Sequence, residues 1–229
     1  MTLTWPSTEL ELVAIQEALR GAAPEPWAPP QEPYAVGGCF VCFPRGKHGA
    51  GSAGDPGWAA AVVLVESRVV AQGTVPGEAG APYRAGLLAL REGALLESAV
   101  RDAGALPEVL LVDATGRDHP RRAGLALHLG AVLGTPTIGV THRPLVASGP
   151  WPTDAPGARS ELALEGEVVG HWLRTRAGTR PLAVHAAWRT DPDTAVAVVL
   201  DSLAGRRSPE PLRLARTLAR EARAADTGP

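Results

Sequence analysis

The sequence predicts an α/β fold built on a mixed central β-sheet flanked by helices. Residues 59–65 (AAAVVLV) and 68–75 (RVVAQGTV) are β-branched runs separated only by Glu66 and Ser67, the pattern of an antiparallel hairpin. From residue 83 to 140 the pattern alternates helix, strand, helix, strand, which implies parallel pairing beside that hairpin.

The elements follow in order. Thr8 with Glu11 has the form of a capping box, and Leu10, Leu12, Val13, Ile15, Ala18 and Leu19 recur at helical spacing, so a first helix ends near Arg20. A Pro-rich connector, 21–33, breaks it and leads to a core strand over 34–43 that ends in VGGCFVCF; a Gly-rich loop, 44–57, follows. Beyond the hairpin, 83–100 reads as a helix and 108–113 (EVLLVD) as a short apolar strand ending in a carboxylate. Residues 121–133 read as a helix and 137–140 (TIGV) as a buried strand. Polar-alternating strands are expected over 161–164, 167–174 and 181–186, then helices over 192–204 and 211–225 and a frayed tail at 226–229. No internal repeat divides the chain, and one domain over 1–229 is expected, with 1–33 as its lead-in.

With 229 residues, 45% hydrophobic and 20% charged, the chain can bury one large core. Its net charge of -2 excludes an overall basic field, so any nucleic-acid contact must rest on a local patch; all basic residues but Lys47 are arginines. Cys39 and Cys42 are spaced C-x-x-C, but residues three apart on a strand point to opposite faces and cannot share a metal. They read as two buried thiols. No basic region followed by an apolar stretch opens the chain and no apolar run approaches the ~20 residues of a membrane span, so a cytoplasmic protein without a membrane partner is expected.

Chemistry is expected where LLVDATGRDHPRRAG leaves a strand, because sites in open α/β sheets form at the carboxyl ends of strands. Asp113, Asp118 and His119 could together bind a hard divalent cation or act as acid and base. Read alone, Asp118 is better taken as a cap for a helix starting near Pro120. Arg121 and Arg122 would stand in that helix's first turn, where a cation opposes the dipole, and so should meet an anion or a carboxylate.

The string VDATGRDHPRRAGLALHLGAVLGTPTIGV, with APYRAGLLALRE upstream, resembles the endonuclease V family at one constant register from Tyr34 to about Ala195. The resemblance implies a ribonuclease H-like fold and a Mg²⁺-dependent endonuclease that recognises hypoxanthine in DNA or RNA and cuts the second phosphodiester 3′ to it; Mn²⁺ could serve as well. The partner implied is nucleic acid with a deaminated purine, its base flipped into a pocket. By the same resemblance Tyr83 is the wedge that fills the gap, and Gly86, Leu88, Gly116, Gly124, Gly139 and Leu145 line the pocket. Glu92 and Asp113 hold metal, and His119 completes the retained catalytic set.

Four departures fall in the same site. Phe40 stands where the family has a metal-binding Asp, His142 where it has a catalytic Lys, Trp188 where it has a His, and Asp113-Ala114-Thr115-Gly116 replaces an Asp-Gly-His-Gly pattern. Phe offers a cation no lone pair, and His lacks the permanent charge of Lys. Three outcomes stay open: a binder of deaminated nucleic acid that no longer cleaves, a nuclease with a metal centre rebuilt from Asp118, His142, Glu92, Asp113 and His119, or a partner-binding protein that keeps only the fold. Arg84, Arg91, Arg117, Arg121, Arg122, Arg143 and Arg189 are expected to form the phosphate-contacting patch.

Overall fold

The computed structural model describes residues 4–31, 33–45 and 49–227. In chain order the elements are α1 (Glu9–Arg20), β1 (Val36–Cys42), β2 (Pro56–Val65), β3 (Arg68–Glu78), α2 (Leu88–Asp102), β4 (Val109–Val112), α3 (Leu125–Leu133), β5 (Thr137–Thr141), β6 (Arg159–Leu164), β7 (Glu167–Leu173), β8 (Leu182–Ala186), α4 (Pro192–Asp201) and α5 (Glu210–Thr227). The strands form one sheet of order β3-β2-β1-β4-β5-β8-β7-β6. β1, β4 and β5 pair in parallel, and the strands on either side pair antiparallel, so the sheet is mixed as expected. Glu66 and Ser67 join β2 to β3 with φ of 47° and 66°, a two-residue turn whose twist matches that of the strands it connects.

Helices cover both faces. Cys39 and Val41 of β1 enter the core packed beneath α2 and α3, whereas Cys42 and Phe40 pack with Ala219 and Leu218 of α5. The two thiols are thus free, buried and on opposite faces. Gly38 sets the seat of α5: a Cβ there would lie 2.4 Å from the carbonyl carbon of Pro211, so the start of the helix rests on bare β1 backbone. The capping box of α1 forms as read, with Thr8 Oγ1 accepting from the Glu11 amide and Glu11 Oε2 from the Thr8 amide, both at 3.2 Å.

Several boundaries differ from the sequence expectation. α2 begins at Leu88 rather than 83, because Gly86 takes φ 80° and closes a loop before it. α3 begins at Leu125 rather than 121, since Arg122 takes φ 53° and cannot continue a helix. β8 does not alternate; it is buried throughout because helices and neighbouring strands enclose it, and edge strand β6 alone of the last three stays half exposed. α5 continues to Thr227, so 226–227 of the expected frayed tail are helical; residues 228–229 lie outside the described ones, as does Lys47. Among the described residues no helix is long and apolar enough to cross a membrane.

Candidate functional site

The carboxyl ends of the parallel strands β1, β4 and β5 converge on one edge of the sheet. Asp113 directly follows β4, Phe40 lies near the end of β1, and His142 directly follows β5. Two cavities open here. One, of about 320 Å³, is walled by Gln16, Tyr83, Gly86, Leu88, Asp113, Thr115, His119, Arg143 and Leu145 among others. The second, of about 190 Å³, is walled by Cys39, Phe40, Tyr83, Leu88, Glu92 and Asp113. Tyr83, Leu88 and Asp113 belong to both, so the two are adjoining chambers of one site.

In the larger chamber the carbonyl of Gly86 is the organising group. It accepts from Gln16 Nε2 at 3.1 Å and Arg121 Nη2 at 3.2 Å, and it lies 3.0 Å from His119 Nε2. Because His119 Nδ1 accepts from the Arg121 amide at 3.1 Å, the neutral ring must carry its proton on Nε2 and donate to Gly86. Burial, more than any neighbouring charge, holds His119 below the usual imidazole range. Its position ties the 83–87 loop to the 117–122 loop; both ring nitrogens are occupied, so the arrangement gives it no free atom for acid–base work.

Asp118 forms the other wall indirectly. It is fully buried and its carboxylate accepts from the amides of Leu145, Val146 and Ala147 at 2.6, 2.9 and 2.7 Å. The expected helix cap is therefore not made: α3 starts seven residues later and carries no side-chain cap, and Asp118 instead folds the 143–147 loop over the chamber. His185, also fully buried, places Nδ1 3.6 Å from Asp118 Oδ2 and Nε2 2.9 Å from Thr141 Oγ1. Burial outweighs the Asp118 charge and holds His185 at about 4, so it is neutral at pH 7.

Of the six residues expected to line a base pocket, Gly86, Leu88 and Leu145 stand in the wall of the larger chamber. Gly116, Gly124 and Gly139 are not in its walls. A Cβ on them would come within 2.1 Å of the Ala186 oxygen, 2.3 Å of the Thr115 oxygen and 2.3 Å of the Ala114 oxygen, so their bareness lets the 113–116 backbone lie flat beneath the chamber. Trp188 is in neither wall; it packs against the core beside α3, with its amide donating to Thr137 Oγ1 at 3.1 Å.

In the smaller chamber the deciding residue is one that sequence reasoning passed over. Arg216 of α5 places Nη2 2.9 Å from Asp113 Oδ2, and its guanidinium lies 4.9 Å from the centre of the Phe40 ring. Glu92 has no hydrogen bond or ion pair among the described residues; burial, with the Asp113 charge adding to it, pushes its carboxyl up to about 8 against the opposing pull of Arg91. Cys39 is raised too, by burial first and then by Asp113 and Glu92. No local signal marks Arg216, because it stands 103 residues from its partner on a helix whose seat depends on Gly38.

The arginine patch is mostly dissolved by the tertiary structure. Arg91 is buried against Asp55 at 3.5 Å and stacks on Phe43, Arg121 is spent on Gln16 and Gly86, and Arg122 pairs with Glu165 and Glu167. Arg84 pairs with Glu9, Arg117 donates to the carbonyls of Arg20 and Ala22, and Arg189 donates to that of Glu25. Among the described residues Arg143 alone of the seven makes no side-chain hydrogen bond or ion pair, and it stands exposed in the wall of the larger chamber.

A family model described as Endonuclease V matches residues 29–217. The chain belongs to the endonuclease V family. It is 38% identical over 222 residues to the Endonuclease V of Streptomyces avermitilis, covering 95% of this chain and 93% of that one, and 38% identical over 216 residues to that of Methanopyrus kandleri, covering 93% and 89%. The crystal structure of the Streptomyces avermitilis Endonuclease V superposes with a TM-score of 0.86 at 38% identity over 98% of this chain and 96% of that one. The catalytic domain of human Endonuclease V gives 0.83 at 28% identity, over 97% and 99%. The fold is therefore the ribonuclease H-like one of endonuclease V. The Ciona intestinalis Endonuclease V, at 23% identity and a TM-score of 0.75 over 93% and 96%, shares that fold and was crystallised with a 24mer DNA containing an inosine followed by a ribo-adenosine.

The divalent cation that the family resemblance implies does not fit the residues as they stand. Phe40 supplies no donor, Arg216 already neutralises Asp113, and among the described residues no three His, Cys, Asp or Glu side chains are grouped to hold a metal. Asp118 spends both oxygens on backbone amides, and Asp191 and Asp193 are engaged in capping α4 and pairing with Arg159. His142 stands exposed, and its tendency to protonate is lowered by burial first and then by the Arg207 charge, with Arg216 and Arg180 adding to it against the pull of Asp113.

Proposed function

We propose that this protein binds nucleic acid carrying a deaminated purine and has given up the metal-dependent cleavage of its family. The observation that carries the reading is the contrast between the two chambers. The larger is internally braced around the Gly86 carbonyl, while the smaller has the donorless Phe40 ring in its wall and an Asp113 already paired with Arg216. The braced chamber has the size and mixed lining of a small-ligand pocket. A base swung out of its stack would enter between Leu88 and Leu145, and Tyr83, 51% exposed in the wall, is the side chain that would stack where the base had been. Of the seven arginines singled out in the sequence, Arg143 is the one whose side chain is left available to a phosphate. The Ciona intestinalis relative, which holds inosine-containing DNA on this fold, supports the ligand class.

The test is fluorescence anisotropy with single-stranded DNA and RNA oligonucleotides carrying one inosine or one adenosine, together with a cleavage assay in Mg²⁺ and in Mn²⁺. The expected result is preferential binding of the inosine strands and intact oligonucleotide throughout. Phe40→Asp alone is expected to stay silent in the cleavage assay, because Arg216 remains on Asp113. Equal affinity for inosine and adenosine strands would overturn the base-reading, and cutting 3′ to inosine by the natural protein would overturn the loss of cleavage.

A further inference from the structure

The residue that occupies Asp113, a wall residue of the smaller chamber, has the chemistry to do part of a cation's work. Arg216 uses one N–H of Nη2 on Asp113; among the described residues its Nε and Nη1 make no hydrogen bond, and its side chain remains 28% exposed. The guanidinium is fixed from two sides, by the carboxylate and by the face of Phe40, so its remaining donors are oriented before any ligand arrives. It is also not isolated. Arg180 and Arg207 act with it on exposed His142, and the Arg207 Nη2 donates to the Arg180 carbonyl at 3.2 Å. Asp113 is shared with the base chamber, which puts Arg216 at the boundary where the backbone of a strand must run if its base enters that chamber.

We propose that Arg216 is a protein-borne replacement for the family's cation. Held on Asp113 and Phe40, it offers Nε and Nη1 to a phosphodiester of the bound strand, so that this protein grips nucleic acid without any divalent metal. The inference rests on the reading of the larger chamber as a base pocket. An arginine fork on a phosphate oxygen supplies charge and direction, but no water-activating centre, which is consistent with holding a strand and leaving it uncut.

The experiment is an anisotropy titration of the full chain with single-stranded DNA containing one deoxyinosine or, as control, one deoxyadenosine. It is run in EDTA and in Mg²⁺ over a range of salt concentrations. Affinity is expected to be equal in EDTA and Mg²⁺. Arg216→Gln should weaken both strands by the same factor, about tenfold, and reduce the slope of log affinity on log salt by about 0.7, whereas Arg216→Lys keeps most of that slope. Asp113→Asn, which removes the competing anion without removing the cation, should tighten both strands; a site that needs a metal on Asp113 would lose binding instead. Abolition of binding by EDTA, an unchanged salt slope in Arg216→Gln, or weaker binding in Asp113→Asn overturns the clamp. Binding that depends on Arg216 but shows no preference for deoxyinosine keeps the clamp and defeats the base pocket, and no binding to either strand defeats both. Urea unfolding of each variant verifies that it is folded, and should Arg216→Gln not fold, the opposite signs expected for Asp113→Asn still decide.

Discussion

Asp118→Ala tests the claim that one buried carboxylate holds the wall of the larger chamber. Its Oδ1 accepts the amides of Val146 and Ala147 and its Oδ2 that of Leu145, all at 2.9 Å or less, with no solvent access to the side chain. Hydrogen bonds to a charged group contribute about 1.5–3 kcal/mol each, and a buried donor stripped of its partner costs about 1–3 kcal/mol. Some of the three amides will find water once the loop loosens, so the loss is expected at about 4 kcal/mol rather than the full sum. Asp118→Asn keeps an acceptor for two amides but turns an NH₂ toward the Leu145 amide, and should cost about 2–3 kcal/mol. Urea unfolding at pH 7 measures both, and hydrogen exchange should show lost protection confined to the amides of residues 145–147 at concentrations where the rest of the fold is intact. A loss under about 1 kcal/mol for Asp118→Ala, or unchanged exchange at those three amides, would refute the assignment.

Other outcomes follow from the same geometry. Stability should peak near pH 6.5. His128 and His185 are held at about 4 by burial, so the folded protein binds fewer protons than the unfolded chain between about 4 and 6.5 and weakens as pH falls through that window. Glu92, raised to about 8, makes the folded protein bind more protons between about 4.5 and 8, so stability also declines as pH rises from 6.5 to 8, by up to about 1.4 kcal/mol per pH unit. Glu92→Gln should flatten that upper decline in urea titrations across pH 5–8.5, and a natural protein whose stability rises steadily to pH 8 would contradict the burial of Glu92. Gly38→Val should cost several kcal/mol and unseat Arg216, because its Cβ meets the Pro211–Leu212 backbone at 2.4–2.6 Å; urea unfolding that shifts by under about 1 kcal/mol would contradict this packing. By calorimetry, Mn²⁺ should bind Phe40→Asp/Arg216→Asp but neither the natural protein nor Phe40→Asp, since only the double variant both adds donors and removes the cation on Asp113.

The sequence by itself determined the mixed α/β architecture, the hairpin at Glu66-Ser67, the opposed thiols and the edge where Asp113 would stand. All of these follow from period, turn chemistry and strand polarity, which act over a few residues. It also drew attention to Phe40, a side chain that offers a cation no donor, because a long motif at one register makes a single departure visible. Where it overran was in its helices: periodicity carried α2 and α3 across Gly86 and Arg122, whose positive φ is a property of the folded loop. What only the tertiary structure decided is how each polar group is spent. Asp118 proved a loop anchor, the expected arginine patch was largely consumed by internal partners, and Gln16, never singled out, became a brace of the larger chamber. Arg216 belongs to this second class most plainly. Its meeting with Asp113 and Phe40 needs α5 to cross β1 at Gly38, and hydrogen bonds between residues 103 apart leave no periodic trace in the chain.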